Sequence, residues 1–177
     1  MNKQQVKEKA KKIKVIVTDV DGVLTDGYIL FDEHYNEPYG KFSIYDGLGI
    51  VMAHACGLKI IVISGRKSKC TEIRCTKLGI DEVYTGVDNK SKKLKEVAKK
   101  LKLDFAEMAY IGDDIIDLGA MSLVGLKVAP KNAVKTVKQY VDHITKTKSG
   151  KGALRELIDL ILKAQGKYDI YVKSQLG

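Results

Sequence analysis

The feature that most constrains this chain is a short apolar segment that leads directly into two aspartates. Residues 13–17 are rich in β-branched side chains, which predicts a buried strand of a parallel sheet. Asp19, Asp21 and Gly22 follow at its carboxyl end. Ligands of open α/β sheets bind just beyond such strand ends, and two neighbouring carboxylates are costly to place together without a cation. A compact set of oxygen ligands suits Mg2+, which often shares its shell with a substrate phosphate.

Strand-like and helix-like segments alternate along the rest of the chain. Further strands are predicted at residues 59–63, 82–85, 108–111, 126–128 and 143–144. Helices are predicted between and after them, at residues 47–56, 68–78, 89–101, 115–121, 132–137 and 152–165. This alternation predicts a Rossmann-like three-layer α/β fold, with helices on both faces of a parallel sheet.

The domain organisation is expected to be simple, with a single domain over residues 1–177. A basic segment, 1–12, precedes the first strand. An insertion, 27–44, follows that strand, and its two apolar stretches around a Gly- and Pro-containing turn predict a β-hairpin. The C-terminal tail, 167–177, is expected to be mobile or docked on a partner.

The formal charge of +9 permits nucleic acid as a partner. We favour the alternative that the lysines occupy solvated helix faces, because aromatic residues are not interleaved with them and Trp is absent. No apolar run is long enough to span a bilayer, and the Lys-rich N-terminus lacks the apolar stretch of a signal peptide. We therefore expect a cytoplasmic protein that acts without nucleic acid or membrane.

Polar residues follow four of the predicted strands, and each group alone has an ordinary structural explanation. The explanations are a capping pair for the aspartates after the first strand, a plain turn for the serine after the second, a solvated surface charge for the lysine after the third, and a helix N-cap for the aspartates after the fourth. Carboxyl ends of parallel strands meet at one edge of the sheet, so the placement of the groups on successive strands favours a shared site. The groups are Asp19 with Asp21, Ser64, Lys90, and Asp113 with Asp114 and Asp117.

The motif Asp-x-Asp-Gly-x-Leu-Thr-Asp-Gly at residues 19–27 resembles the first motif of haloacid-dehalogenase-type phosphatases. Further segments are similar to one subfamily, the capless phosphatases that act on 3-deoxy-D-manno-octulosonate 8-phosphate. The segments that carry this similarity are 46–50, 63–66, 74–80, 89–90, 109–117, 150–156 and 164–167. The resemblance covers about residues 15–167 and implies a haloacid-dehalogenase fold without a cap domain, a Mg2+ cofactor and a homotetramer.

The resemblance also implies roles for the residues at the strand ends. Asp19 would be the nucleophile that forms an aspartyl-phosphate, and Asp21 would be the general acid and then the base. Ser64 and Lys90 would hold the phosphate oxygens in the transition state. Mg2+ would bind the side chains of Asp19 and Asp113 and the backbone carbonyl of Asp21.

Substrate binding and support of the site are implied for further residues. Asp114 and Asp117 would orient metal-bound water or the lysine, with a structural cap as the alternative for Asp114. Arg66 and Arg74 would bind the substrate. The alternative for Arg66 is a solvated loop residue, and the alternative for Arg74 is an exposed helix residue. The expected substrate-binding residues are Asp21, Asp46, Gly47, Gly65, Arg66, Arg74 and Lys90.

The expected function is therefore a Mg2+-dependent phosphatase of an eight- or nine-carbon 2-keto sugar-acid phosphate, with the octulosonate favoured. Tyr45 stands where the family often carries Arg, so the bidentate carboxylate partner that Arg would supply is absent there. The alternatives are a phosphatase of a related nine-carbon acidic sugar phosphate and a broad sugar phosphatase. A non-enzymatic basic binding protein on the same scaffold is the alternative from another functional class.

Overall fold

A six-stranded, fully parallel sheet forms the centre of the computed structural model, which describes residues 1–176. The strand order is 3-2-1-4-5-6, so the first strand lies between the second and the fourth. This order is that of a doubly wound sheet, in which the order of successive strands reverses beside the first strand. The strands are β1 (Val15–Thr18), β2 (Lys59–Ile63), β3 (Glu82–Tyr84), β4 (Met108–Ile111), β5 (Leu126–Ala129) and β6 (His143–Ile144).

Helices cover both faces of the sheet. They are α1 (Lys3–Lys11), α2 (Ile44–Ala55), α3 (Lys69–Lys77), α4 (Lys90–Leu101), α5 (Ile115–Met121), α6 (Lys135–Lys138), α7 (Ala153–Ala164) and α8 (Tyr168–Ser174), with a 3-10 turn at Phe105–Glu107. Their placement follows from the alternation of strand side chains. Ile16 packs in one core with Leu157 of α7, whereas Val15 and Val17 pack in a second core with Leu94 of α4. The predicted three-layer α/β fold is confirmed.

Several predicted boundaries differ from the observed ones for local reasons. β1 begins two residues later than expected, although Ile13 before it is buried. α2 begins at Ile44 rather than at residue 47, because the Ser43 side chain accepts the Tyr45 backbone N–H and caps the helix. α6 is shifted towards its C-terminal end and begins only after Val134, which provides no side-chain cap.

The prediction of a β-hairpin after β1 is wrong for this chain. Residues 27–43 contain no strand and form an extended loop, which we call the insertion loop. The chain does reverse direction at Asp32, whose carboxylate accepts the backbone N–H groups of His34 and Asn36 at 3.0 and 2.8 Å. The flanking segments do not pair, as expected for a lone two-stranded ribbon with nothing to pack against.

Helices lie near both ends of the described residues. Asn2 and Gln5 form a capping box at the start of α1, within the basic segment. The predicted tail carries α8, and Tyr168 and Tyr171 pack against the core; residue 177 of the tail lies outside the described residues. Among residues 1–176, no helix has the length and apolar character needed to cross a membrane.

Candidate active site

A cavity of about 560 Å3 opens at the carboxyl edge of the sheet. Its walls come from the segments after β1, β2 and β4 and from the start of α4. A larger cavity of about 780 Å3 lies between α1, β6 and α7 and contains none of the residues at these strand ends. The predicted site residues that line the 560 Å3 cavity are Asp19, Asp21, Ser64, Gly65, Arg66, Lys90, Asp113 and Asp114.

A buried lysine joins two of the aspartates. Lys90 is the first residue of α4 and is 4% exposed. Its Nζ lies 2.9 Å from Asp19 Oδ1 and donates to Asp117 Oδ1 at 2.7 Å. The Tyr110 hydroxyl donates to the same Asp117 oxygen at 2.9 Å. Lys90 is therefore a fixed cation at the bottom of the cavity, and the explanation as a solvated surface charge does not hold.

The electrostatics of this cluster follow from burial and from crowded carboxylates. Burial, and then the Asp117 carboxylate, raise the pKa of Asp19 to about 6 against the opposing effect of Lys90. Burial and the carboxylates of Asp19 and Asp117 raise the pKa of Asp113 to about 7. Burial would lower the pKa of Lys90, but the two adjacent aspartates outweigh it and the pKa is raised. The protein alone thus carries more negative charge here than it neutralises.

The donor set of this cluster fits a divalent cation. Carboxylate oxygens of Asp19, Asp113 and Asp117 all lie within 4.8 Å of one another. Both carboxylate oxygens of Asp117 already have hydrogen-bond donors. Its Oδ1 accepts from Lys90, and its Oδ2 accepts the backbone N–H groups of Asp113 and Asp114 at 3.1 and 3.4 Å. Asp19 and Asp113 are therefore the carboxylates that remain for a hard cation, which prefers oxygen ligands.

Two glycines allow the aspartates to approach the backbone. Gly22 has φ +84°, and an added Cβ would lie 2.0 Å from Asp113 Oδ2. A Cβ on Gly112 would lie 2.6 Å from the Asp117 side chain. Any larger residue at either position would displace a carboxylate of the cluster.

The turn after β2 places a hydroxyl in the cavity. Ser64 is 2% exposed, and its backbone N–H donates to the Tyr84 carbonyl at 2.8 Å, which extends the pairing of β2 with β3. The Ser64 hydroxyl accepts the Arg66 backbone N–H at 3.2 Å. The turn interpretation of Ser64 and Gly65 is therefore correct, and the same turn brings the hydroxyl to the cavity wall.

Arg66 lies between two carboxylates. Its Nε and Nη2 donate to the two carboxylate oxygens of Asp21 at 2.9 and 2.8 Å. Its Nη1 bonds Glu37 of the insertion loop. Sequence reasoning missed Glu37, because no spacing or motif links it to the strand ends.

Asp46, Gly47 and Arg74 do not line this cavity, so their prediction as substrate-binding residues has no support in the geometry. All three line a separate, small space beside α2 and α3. Asp46 is 3% exposed and accepts the Arg155 backbone N–H at 2.8 Å, at the start of α7. A Cβ on Gly47 would lie 2.5 Å from Arg74 Nη2, so the arginine packs on the α2 backbone.

Asp114 borders the cavity but acts as a helix cap. It is exposed, and its Oδ1 accepts the Ile115 backbone N–H at 2.6 Å. Asp114 and Asp117 together form a capping box at the start of α5. The remaining residues that line the cavity, which sequence reasoning did not single out as binding residues, are Gly22, Gly27, Val87, Asp88 and Ile116.

Comparisons with known proteins identify relatives of this chain. The sequence model of the haloacid dehalogenase-like hydrolases matches residues 63–157. A 3-deoxy-D-manno-octulosonate 8-phosphate phosphatase of Escherichia coli is 40% identical over 164 residues, which is 93% of this chain and 87% of the relative. The Haemophilus influenzae phosphatase of the same name is 39% identical over 170 residues, 96% and 94% of the two chains.

A solved structure is similar as well. The 3-deoxy-D-manno-octulosonate 8-phosphate phosphatase of Moraxella catarrhalis, in complex with a magnesium ion, a phosphate ion and a KDO molecule, superimposes with a TM-score of 0.95 at 35% identity over 98% of this chain and 99% of the other. Identity and coverage of this extent leave one assignment. This chain belongs to the 3-deoxy-D-manno-octulosonate 8-phosphate phosphatase family of the haloacid dehalogenase-like hydrolases.

Proposed function

We propose that this protein is a Mg2+-dependent phosphomonoesterase that hydrolyses 3-deoxy-D-manno-octulosonate 8-phosphate to the free sugar acid and phosphate. The observation that carries the proposal is the convergence of five residues in one cavity. They are Asp19, Asp21, Ser64, Lys90 and Asp113. The named activity of the relatives favours this substrate over a nine-carbon acidic sugar phosphate or a broad range of sugar phosphates. The same names speak against a non-enzymatic binding protein.

The cation is assigned to the open carboxylates of the cluster. We propose that the side chains of Asp19 and Asp113 and the backbone carbonyl of Asp21 hold Mg2+. When bound, Mg2+ would neutralise the crowded negative charge and supply positive charge to the phosphate oxygens. Asp117 would support the site through its bonds to Lys90 and to the backbone before α5.

The first half of the reaction uses the two aspartates after β1. An oxygen of ionised Asp19 attacks phosphorus, the Asp19–phosphorus bond forms, and the bond from phosphorus to the sugar oxygen breaks. Asp21 donates its proton to that oxygen, so the sugar acid leaves as a neutral alcohol rather than an alkoxide. Lys90 and Ser64 hold the non-bridging oxygens, where negative charge is present in the transition state.

The second half regenerates the protein. Asp21, now ionised, accepts a proton from a water molecule, and the resulting hydroxide attacks the aspartyl-phosphate. The bond from Asp19 to phosphorus breaks, and inorganic phosphate leaves. A carboxylate nucleophile thus divides one difficult hydrolysis into two easier steps. Arg66 lines the cavity, but three of its five N–H groups already bond Asp21 and Glu37, so its contact with substrate stays a prediction.

We also propose that the protein acts in the cytoplasm as a homotetramer in which insertion loops of neighbouring copies pack together. The loop exposes Tyr28 (80%), Leu30 (54%) and Phe31 (48%). Exposed apolar patches of this kind mark interfaces, and closed symmetry would place one copy near the site of another.

Phosphate release from a panel of substrates tests the proposal. The panel contains 3-deoxy-D-manno-octulosonate 8-phosphate, a nine-carbon acidic sugar phosphate and glucose 6-phosphate, each with Mg2+ and with a chelator. We expect the highest kcat/KM for the octulosonate and no release in chelator. Equal kcat/KM for glucose 6-phosphate would contradict the substrate assignment, and full activity in chelator would contradict the metal assignment.

A further inference from the structure

One charged residue of the insertion loop is less exposed than the apolar residues around it. Glu37 is the only residue between positions 27 and 41 that is not exposed. The aromatic residues of the same loop face solvent, with Tyr28 and Tyr35 80% and 79% exposed. Removing a carboxylate from water is unfavourable unless it is paired and hydrogen-bonded. The contacts of Glu37 must therefore account for its position.

Both carboxylate oxygens of Glu37 have partners near the cavity. Oε2 accepts from Arg66 Nη1, and Oε1 accepts from the Ser68 hydroxyl at 3.1 Å. Ser68 is 6% exposed and caps α3 through the Thr71 backbone N–H at 3.4 Å. The Cys70 thiol lies 3.7 Å from the Glu37 carbonyl oxygen. Glu37 is thus attached to the fixed start of a helix rather than to another part of the loop.

Arg66 transmits this attachment to Asp21. The same guanidinium that bonds Glu37 through Nη1 holds both oxygens of Asp21 through Nε and Nη2. A planar guanidinium bound at three nitrogens can neither rotate nor slide without breaking a charged hydrogen bond. Arg66 also forms ion pairs with both Asp21 and Glu37, so its positive charge is neutralised within the protein.

We propose that Glu37 is a positioning residue, which acts through Arg66 to hold the Asp21 carboxyl group in the orientation that delivers a proton to the leaving oxygen. The inference rests on the proposed function, in which Asp21 is the general acid. The bond to Glu37 keeps the guanidinium in place, so its N–H groups keep the Asp21 carboxyl group oriented at the cavity wall.

This role makes a specific demand on the leaving group. An alkoxide such as the sugar oxygen needs a proton as the ester bond breaks, whereas p-nitrophenolate leaves readily without one. Loss of the Glu37 contact should therefore slow hydrolysis of the sugar phosphate and spare hydrolysis of p-nitrophenyl phosphate. Loss of a contact that only stabilises the loop would lower both rates together.

The test compares Glu37→Gln with Glu33→Gln, which removes the same charge from an exposed position of the same loop. We expect Glu37→Gln to lower kcat for 3-deoxy-D-manno-octulosonate 8-phosphate on the order of 10-fold, a part of the ~10²–10⁴ that a positioned acid supplies. Its kcat for p-nitrophenyl phosphate and its KM for the sugar phosphate should stay within about 2-fold of the unmodified protein. Glu33→Gln should change neither substrate, and Glu37→Asp, which keeps the charge, should recover part of the loss.

Equal losses on the two substrates, or an unchanged ratio of their kcat values, would overturn the inference. A raised KM with unchanged kcat would assign Glu37 to substrate binding instead and would overturn it as well. If thermal unfolding shows that Glu37→Gln does not fold, Ser68→Ala decides the question, because it removes one of the two Glu37 partners and should lower the sugar-phosphate rate selectively. An unmodified protein that releases no phosphate with Mg2+ would instead contradict the proposed function, and this inference with it.

Discussion

Gly22 and Asp113 lie so close together that a single methyl group on the glycine would overlap the carboxylate, with an added Cβ 2.0 Å from Oδ2. We expect Gly22→Ala to lower kcat at least ~10²-fold, because the added methyl group displaces Asp113, a proposed Mg2+ ligand. Loss of a group that stabilises the transition state typically has an effect of this size. Gly57→Ala is the matched control, since Gly57 has a similar φ of +78° and no heavy atom within 4 Å of the added Cβ. Both variants carry a backbone cost of roughly 1–2 kcal/mol.

Phosphatase assays and thermal unfolding of the two glycine variants separate the effects. Gly57→Ala should lose stability and keep its activity. An active Gly22→Ala would show that the Asp113 carboxylate can move without consequence.

The two aspartates after β1 are expected to be indispensable in different ways. Asp19→Asn removes the nucleophile and Asp21→Asn removes the proton donor, so each should lower kcat for the sugar phosphate by at least ~10²–10³. Circular dichroism should show that both variants stay folded. A near-normal rate for Asp19→Asn would exclude the covalent mechanism.

The neighbouring Asp113 and Asp114 should respond differently to substitution. Asp113→Ala should raise the Mg2+ concentration needed for half-maximal activity, because an open carboxylate of the cluster is lost. Asp114→Ala should keep the metal response and lose about 1 kcal/mol of stability, the usual cost of a removed N-cap. Titration of activity with Mg2+ measures both, and Ca2+ should substitute poorly because it tolerates looser geometry. Equal metal responses of the two variants would contradict the assignment.

Asp46 makes the stability of the fold depend on pH. Burial raises the pKa of this carboxyl group from 3.8 to about 6 in the folded protein. The folded state therefore binds the proton more tightly than the unfolded state, so the stabilising contribution is complete below about pH 4 and is lost as the pH rises through about 6. Relative to Asp46→Asn, the unmodified protein should lose up to about 3 kcal/mol of unfolding free energy between about pH 4 and pH 7.

Urea unfolding at several pH values measures this difference. Asp169→Asn, at an exposed position of α8, serves as the control and should follow the unmodified protein. An unmodified protein that gains stability relative to Asp46→Asn as the pH rises would contradict the sign of the pKa shift.

The insertion loop should control assembly. Leu30→Asp places a charge in the exposed apolar part of the loop and should reduce the mass measured by light scattering at assay concentration. Ile73→Asp is the control, because Ile73 is 48% exposed on α3 and Leu30 is 54% exposed. A fully active monomer of the unmodified protein would contradict the proposal that neighbouring loops share a site.

Much of the site was accessible from sequence because its residues follow strands. The apolar segment before Asp19 and the one before Ser64 each predict a buried parallel strand, and parallel strands end at one edge. Lys90 was accessible from its place after the third strand together with the other groups and from the family resemblance, because its local surroundings alone are those of a solvated helix. The hairpin prediction failed because apolar alternation indicates which side chains avoid water but not whether a pairing partner exists.

The sequence by itself determined the fold class, the edge of the sheet that carries the site and the family, since these depend on local periodicity and on motifs at strand ends. Tertiary structure decided which residues touch. It buried Lys90 against Asp19, directed Arg74 to the backbone of α2 and brought Glu37 to Arg66. Such contacts join residues far apart in the chain, and their geometry depends on how whole helices and loops pack, which no local pattern encodes.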